Sequence, residues 1–238
     1  NHLLPMHNVL FIDRQLRRPA EETVINDYDK SVNAINLFYT AHPALNADAL
    51  TVSVKETWFD TTDIDFRSRY INSGVGSSSN STHATTMATI IGGAGNSFYS
   101  GRGIAWGARL TSSDYINLLP DDNSVYQQYG ISVQNNSYGV GIENFYGADA
   151  AAYDASAIAN PTLLQVFSAG NSGSHISTDG PYAGVPGYAN LTGSFKQAKN
   201  ILVVGSVDSF YNVPFLSSKG PAFDGRIKPE LVAYGNDG

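Results

Sequence analysis

The 238-residue sequence contains no cysteine, which excludes disulfide bonds and thiolate metal sites. The lack of cysteine does not by itself identify a cellular compartment. No apolar run approaches the roughly 18 residues that a membrane span requires, and no N-terminal signal peptide is recognisable. Because the sequence begins at Asn1 and not at methionine, we expect a processed or trimmed product.

Charged residues are also few, at 15% of the chain, and the formal net charge is −7. A negative net charge disfavours nucleic acid as a partner, since binding to phosphates depends on positive charge. Hydrophobic residues make up 42% of the sequence, which is enough for a full core. The length fits one large domain or two small ones.

Short β-rich segments alternate with helical ones through most of the chain. Strands are predicted at residues 9–13, 50–54, 131–136, 163–167 and 201–207, with another ending at Asp114; helices are predicted at residues 27–40, after residue 82, and at 121–129 and 147–159. This alternation predicts an α/β fold of three layers around a mostly parallel central sheet. The segment 201–207 is the last strand that the pattern predicts.

Two parts of the chain differ in character. Residues 1–48 are interpreted as an N-terminal lead-in segment packed on the main domain, and residues 49–238 as that domain. The lead-in contains a basic run at residues 14–19, which we interpret as a solvated connection because charge runs usually face water.

One histidine stands where a polar loop becomes a short apolar helix, in residues 80–95. His83 lies in the first turn of this helix. Ala84, Ala88 and Gly92 follow at four-residue spacing, so they form a stripe of small residues that another element can approach closely. A lone histidine is commonly a surface or capping residue, so a catalytic role for His83 depends on the rest of the chain.

Acidic residues follow the strand predicted at residues 50–54. Glu56 is the second residue after it, where parallel sheets often carry catalytic groups. Asp60, Asp63 and Asp65 crowd the next loop. Turn chemistry is the favoured explanation for these three, and a structural calcium site is possible but has no support in the sequence.

Several separated segments resemble the motifs of subtilisin-like serine peptidases, the subtilases. They are residues 83–88 (H-A-T-T-M-A), 103–110 (G-I-A-W-G-A-R-L, with Trp106 in place of proline), 137–139 (S-Y-G), 168–173 (S-A-G-N-S-G), 217–221 (S-S-K-G-P) and 228–233 (K-P-E-L-V-A). Each segment alone is a weak signal, but from about residue 50 to the end their order and spacing agree with those of the subtilase motifs.

The resemblance implies peptide-bond hydrolysis by a serine endopeptidase with a Ser/His/acid triad. It implies that His83 is the base, that Glu56 orients the imidazole, and that Asn171 donates to the oxyanion. The substrate is expected to add to the sheet as an extended strand. The residues expected to bind it are Ser137, Tyr138, Gly139, Ser168, Ala169 and Gly170.

The resemblance also implies a peptide or protein substrate, no required cofactor, and a secreted, cell-surface or periplasmic bacterial enzyme. The side chain of Tyr138 is expected to narrow a substrate pocket.

The acid at the strand end departs from the family pattern, because Glu56 stands where the family has aspartate, while Asp60 matches a later acid. Glutamate keeps the carboxylate and adds one methylene, so it can still accept the imidazole N–H. The alternative is that Glu56 is a solvated acid at a loop edge.

The nucleophile is a second departure, because the family's G-T-S motif does not occur in the sequence. Ser172 lies in a glycine-flanked turn and does not fit a nucleophile elbow. We therefore expect the chain to stop short of its serine and to be inactive alone. A second polypeptide segment carrying the serine helix is expected to cover the stripe of Ala84, Ala88 and Gly92.

Two alternative functions remain open to comparison. A non-catalytic, peptide-binding pseudopeptidase on the same fold would explain Glu56, Trp106 and the missing serine. A dinucleotide-binding domain is suggested by the glycines of residues 92–95, but these follow a helix and lack the G-x-G-x-x-G spacing.

Overall fold

The computed structural model describes residues 17–22 and 30–235. The strands are β1 (Ala20–Glu21), β2 (Thr51–Glu56), β3 (Arg109–Asp114), β4 (Ile131–Asn136), β5 (Tyr138–Gly139), β6 (Leu164–Ser168), β7 (Leu202–Val207) and β8 (Leu231–Tyr234). The α-helices are α1 (Ile35–Ala41), α2 (Thr82–Gly92), α3 (Asn123–Tyr129) and α4 (Ala148–Ala159). The strand predicted at residues 9–13 lies outside the described residues.

Six strands form one parallel sheet in the order β3-β2-β4-β6-β7-β8, and helices flank it. All six residues of β2 are buried, as is typical of a central strand of a parallel sheet covered on both faces. The predicted three-layer α/β fold with a mostly parallel sheet is therefore confirmed. None of the helices in the described ranges combines the length and hydropathy of a membrane-crossing segment.

Two predicted elements differ from the structure. The helix predicted at residues 27–40 is shorter where it is described, because residues 30–34 form turns and Ala34 has a left-handed φ of 56°. The segment 201–207 is not the last strand, because β8 follows it. Leu231 and Val232 of that edge strand are exposed although all four of its residues are apolar.

Helix α2 packs against the first strands of the sheet. The Ser81 side chain caps it by accepting a hydrogen bond of 2.9 Å from the Ala84 N–H. Ala84 and Ala88 are fully buried in a core cluster with Leu110 of β3. Gly92 faces the same leucine, and a Cβ there would lie 3.1 Å from its side chain. The small residues therefore bring α2 close to the sheet and fix where its first turn lies.

A separate two-stranded sheet joins the N-terminal segment to the main domain. Strand β1 pairs antiparallel with β5, which places Ala20 opposite Gly139 and Glu21 opposite Tyr138. Residues from the start of the chain thus lie along a strand that follows the carboxyl end of β4.

Candidate active site

The predicted site residues come from the carboxyl ends of neighbouring parallel strands. Glu56 ends β2, Ser137 follows β4, and Asn171 follows β6. Strands β2 and β4 are adjacent, and so are β4 and β6. Because these strands are parallel, their carboxyl ends meet at one edge of the sheet, where α/β proteins place their ligands.

At this edge the imidazole of His83 lies beside the carboxylate of Glu56. Nδ1 of His83 is 3.4 Å from Oε2 of Glu56, and the two side chains are only 4% and 0% exposed. The other carboxylate oxygen, Oε1, accepts a hydrogen bond of 3.1 Å from the Ser137 N–H. The interpretation of Glu56 as a solvated loop-edge acid is therefore wrong.

Burial and mutual attraction act in opposition on this pair. Burial raises the pKa of Glu56 to about 7, although His83 and the Ser137 N–H favour its carboxylate. Burial lowers the pKa of His83, but the adjacent carboxylate of Glu56 outweighs burial and raises it. Each partner therefore favours the charged form of the other, against the effect of burial.

Asn171 lies on a loop that is hydrogen-bonded to strand β7 and to the segment around Ser218. The Ala169 N–H donates to the Val204 carbonyl at 2.8 Å, and the Ser218 N–H donates to the Gly170 carbonyl at 2.8 Å. Gly170 has a φ of +116°, a conformation that side chains disfavour. This turn brings Asn171 onto the same cavity that His83 lines.

The cavity has a volume of about 420 Å³ and is mostly apolar. Besides His83 and Asn171, it is lined by residues that include Met87, Ile104, Val166, Val204, Leu216 and Ala233. The expectation that a second polypeptide segment covers the stripe of small residues on α2 is wrong, because that stripe packs on the sheet. Met87, on another face of α2, lines the cavity instead.

The substrate strand predicted at residues 137–139 is occupied by the chain itself. In addition to the β1–β5 pairing, the Glu22 N–H donates to the Ser137 carbonyl at 3.3 Å. Tyr138 contributes only its backbone to this edge. Its side chain is fully buried in the core, with its hydroxyl 3.3 Å from that of Tyr153, so the expectation that this side chain narrows a substrate pocket is wrong.

The side chain of Glu22 enters a polar pocket beside this strand. Its carboxylate accepts hydrogen bonds from Ser168 Oγ, from Thr192 Oγ1 at 2.6 Å and from Lys196 Nζ at 2.9 Å. Although burial raises it, the pKa of Glu22 is lowered overall by Lys196 and the two hydroxyls. Ser168 was predicted to bind substrate, whereas Thr192 and Lys196 were missed, since they belong to a stretch without a recognisable pattern.

Arg17 anchors the start of the described N-terminal segment. Its guanidinium forms ion pairs with Glu143 at 2.5 Å and with Asp149 at 2.7 Å, and its side chain is 12% exposed. The interpretation of the basic run as a solvated connection is therefore wrong for Arg17, although Arg18 is exposed.

Within the described ranges, Glu21, Glu56 and His83 are near enough to share a cation, with ligand atoms within 4.8 Å of one another. Two of these three form the buried pair, and Glu56 already accepts the Ser137 N–H. The carboxylates of the acidic loop have local partners: Asp60 accepts from Thr62, and Asp63 accepts from the Asp65 N–H at 2.9 Å. These contacts of Asp60 and Asp63 are the turn chemistry favoured from the sequence. For Asp65 that explanation is wrong, because its buried carboxylate accepts from the N–H groups of Asn96 and Ser97, 31 and 32 residues away.

Three other sequence features have local structural explanations. The Ser172 N–H donates to Ser218 Oγ at 2.9 Å, within a turn. A Cβ on Gly93 would lie 2.4 Å from the Gly101 carbonyl, so this glycine allows close backbone contact after α2. Trp106 lies under the Arg102 guanidinium, which is 4.0 Å from the ring centre.

Fold and site together define a subtilisin-like α/β protein, with a buried imidazole–carboxylate pair at the carboxyl edge of a parallel sheet. Residues 47–237 match the family model of the subtilase family. The chain therefore belongs to the subtilases, a family of serine proteases.

Solved structures of proteases share this fold at low sequence identity. The prenylagaramide maturation protease PagA matches with a TM-score of 0.62 and 18% identity, over 85% of this chain and 68% of that one. The CspB protease of Clostridium perfringens matches with a TM-score of 0.61 and 11% identity, over 86% and 78%. MycP1 from Mycobacterium smegmatis matches with a TM-score of 0.56 and 20% identity, over 87% and 65%.

Proposed function

We propose that this chain carries the base, the orienting acid and the oxyanion donor of a serine endopeptidase that hydrolyses peptide bonds. The observation that supports this most strongly is the buried contact of 3.4 Å between His83 and Glu56. Strand β5, which we propose binds the peptide, and Asn171 lie at the same edge of the sheet. A protein that only binds peptides has no need of this buried, titrating pair.

The proposed roles follow from the chemistry of acyl transfer. His83 takes the proton of the serine nucleophile, and Glu56 holds the imidazole in the tautomer with Nδ1 protonated. The amide of Asn171 donates to the oxyanion that forms on the attacked carbonyl. Removal of such a donor lowers the rate by about 10²–10³, as found for a relative in this family.

We propose that the nucleophile is supplied by a further polypeptide segment that fills the cavity beside His83. The cavity of about 420 Å³ is large enough for several side chains, and its apolar lining suits a buried helix. The sequence has no G-T-S motif. On this proposal the 238 residues alone are inactive, and the second segment completes both the core and the site.

The proposed substrate is a peptide or protein that binds as an added strand along residues 137–139. The pairing of β1 with β5 supports this, because it places a peptide there in extended form. Ser168, Ala169 and Gly170 form the other wall of the binding cleft. We propose a secreted, cell-surface or periplasmic location and no requirement for a cofactor or metal.

The alternative is a pseudopeptidase that binds peptides without cutting them. The occupied substrate strand and the missing G-T-S motif favour it. The two functions differ in whether a serine becomes acylated.

Treatment with a fluorophosphonate, followed by mass spectrometry of the labelled peptide, separates the two functions. The protein should be expressed from its complete reading frame, so that any residues encoded after Gly238 are present. The serine peptidase predicts one adduct on one serine. The absence of any serine adduct on folded protein would exclude the enzyme and favour the pseudopeptidase.

A further inference from the structure

Lys196 is a fully buried cation in a chain with few charges. A buried ammonium group is unfavourable unless it has charged and hydrogen-bonding partners. Its Nζ donates to Glu22 Oε1 at 2.9 Å and to Thr192 Oγ1 at 2.8 Å, and it lies 3.4 Å from Ser168 Oγ. The family roles of His83, Glu56 and Asn171 leave this cluster unexplained.

Two glycines line the pocket that Glu22 enters, and a side chain at either position would occupy its space. A Cβ on Gly139 would lie 2.6 Å from Glu22 Oε1, and a Cβ on Gly170 would lie 2.1 Å from Thr192 Oγ1. The space between these glycines is filled by the Glu22 side chain, which is 11% exposed. The pocket therefore has the depth of a glutamate and a positive charge at its base.

The pocket lies next to the groups proposed to perform the chemistry. The Glu22 N–H donates a hydrogen bond of 3.3 Å to the Ser137 carbonyl. The backbone of Glu22 also forms a hydrogen bond with the His83 imidazole. The hydrogen bond between Glu22 and His83 raises the pKa of the imidazole. The imidazole N–H is therefore the donor, and the backbone carbonyl of Glu22 is the acceptor. The side chain in the pocket thus belongs to the residue whose carbonyl faces the base.

We propose that Lys196, Thr192 and Ser168 form a recognition pocket for glutamate, so that the peptidase selects substrates with glutamate immediately before the cleaved bond. This inference rests on the proposed function. In the reaction, the C–N bond after that glutamate breaks, and one water supplies OH to the carbonyl carbon and H to the released amine. The chain's own segment 17–22 is the occupant in this structure.

A binding assay tests the pocket without requiring catalysis. The 238-residue chain with Glu22→Ala removes the internal side chain from the pocket, and Arg17→Ala in the same chain removes the ion pairs that hold β1 along β5. The probes are fluorescein-labelled peptide amides: Arg-Pro-Ala-Glu-Glu, which repeats residues 18–22, and the same peptide with its last residue changed to Gln or Leu. Fluorescence anisotropy then gives the Kd of each peptide.

The peptide ending in Glu should bind about 10- to 100-fold more tightly than the peptide ending in Gln, because a charged hydrogen bond to a buried cation is lost. Changing the penultimate Glu to Gln should alter Kd by no more than about threefold, since Glu21 is exposed. Equal Kd values for the peptides ending in Glu, Gln and Leu would overturn the proposal.

Lys196→Met in the same background should abolish the preference for Glu over Gln. The matched control is Lys199→Met, because Lys199 is exposed and lies three residues away. If Lys196→Met does not fold, the Glu and Gln peptides still decide the question with Lys196 in place. Retention of the preference in folded Lys196→Met would contradict the proposal.

The same peptides, extended beyond the glutamate and added to the protein expressed from its complete reading frame, separate this inference from the proposed function. Selective binding of glutamate without hydrolysis or serine labelling would keep the pocket and reject the peptidase. Hydrolysis without preference for glutamate would keep the peptidase and reject the pocket.

Discussion

Glu56 is the residue whose environment most affects the behaviour of the site. It lies at the end of a fully buried strand, and its Oε2 faces His83 at 3.4 Å, a distance too long for a strong hydrogen bond. Catalytic hydrogen bonds of this kind often shorten when substrate binds. We therefore expect the contact between His83 and Glu56 to shorten when a peptide substrate is bound.

The raised pKa of Glu56 makes stability depend on pH. Its pKa is about 7 in the folded chain and 4.5 ordinarily, so the folded state binds more protons across that interval. The free energy of unfolding should therefore fall as pH rises from about 4.5 to 7, and the raised pKa of His83 acts in the same direction above 6.5. The size of the fall is on the order of 3 kcal/mol for Glu56 alone.

Denaturant unfolding at a series of pH values measures this slope. Glu56→Gln removes the titrating carboxyl and should flatten the curve between about pH 5 and 7. Asp48→Asn, which changes an exposed acid before the start of β2, should leave it unchanged. A flat curve for the unmodified chain would show that Glu56 does not carry a raised pKa.

At the scale of elements, one face of α2 packs on the sheet and another lines the cavity. Ala84, Ala88 and Gly92 bring the helix onto the sheet, and Met87 faces the cavity. The position of His83 depends on the first face, since close packing against Leu110 sets how near the helix lies to β2 and β3. The sequence identified the stripe but not the element that it contacts.

Ala88→Leu tests which face packs on the sheet. Ala88 is fully buried, so the larger side chain should lower the free energy of unfolding by about 1–3 kcal/mol. Met87→Leu, on the cavity face, should change it by less than about 1.5 kcal/mol. Equal tolerance of both substitutions in denaturant unfolding would mean that Ala88 does not pack on the sheet.

The described N-terminal segment is an element held mainly by its two ends, Arg17 and Glu22. Arg17→Ala removes two ion pairs and should speed hydrogen exchange of the Glu22 amide by about tenfold, because the segment opens more often. Hydrogen-exchange mass spectrometry of the peptide covering residues 17–22 measures this. Exposed Arg18→Ala is the control, and equal exchange in both variants would exclude anchoring by Arg17.

At the scale of the whole molecule, most of the strands and helices could be predicted from local sequence patterns. The strands β2, β4, β6 and β7 follow from short apolar, β-branched runs, and the helix of His83 follows from its polar start and apolar body. Glu56 could be identified because parallel strands place catalytic groups at their carboxyl ends.

Contacts between residues far apart in sequence could not be predicted. Arg17 and Glu143 are 126 residues apart, and Glu22 and Lys196 are 174 apart. Neither pair is marked by a periodic pattern, since a buried ion pair depends on where the fold brings two single residues. The pairing of β1 with β5 and the polar partners of Glu22 became visible only in three dimensions.

The central claim is that His83, oriented by Glu56, activates a serine nucleophile. Its most direct test is the rate of fluorophosphonate labelling of the protein expressed from its complete reading frame, compared between wild type and His83→Ala. The account predicts one labelled serine and a rate at least about 10³-fold lower in the variant, with exposed His42→Ala unchanged. Equal rates with and without the His83 imidazole would contradict it.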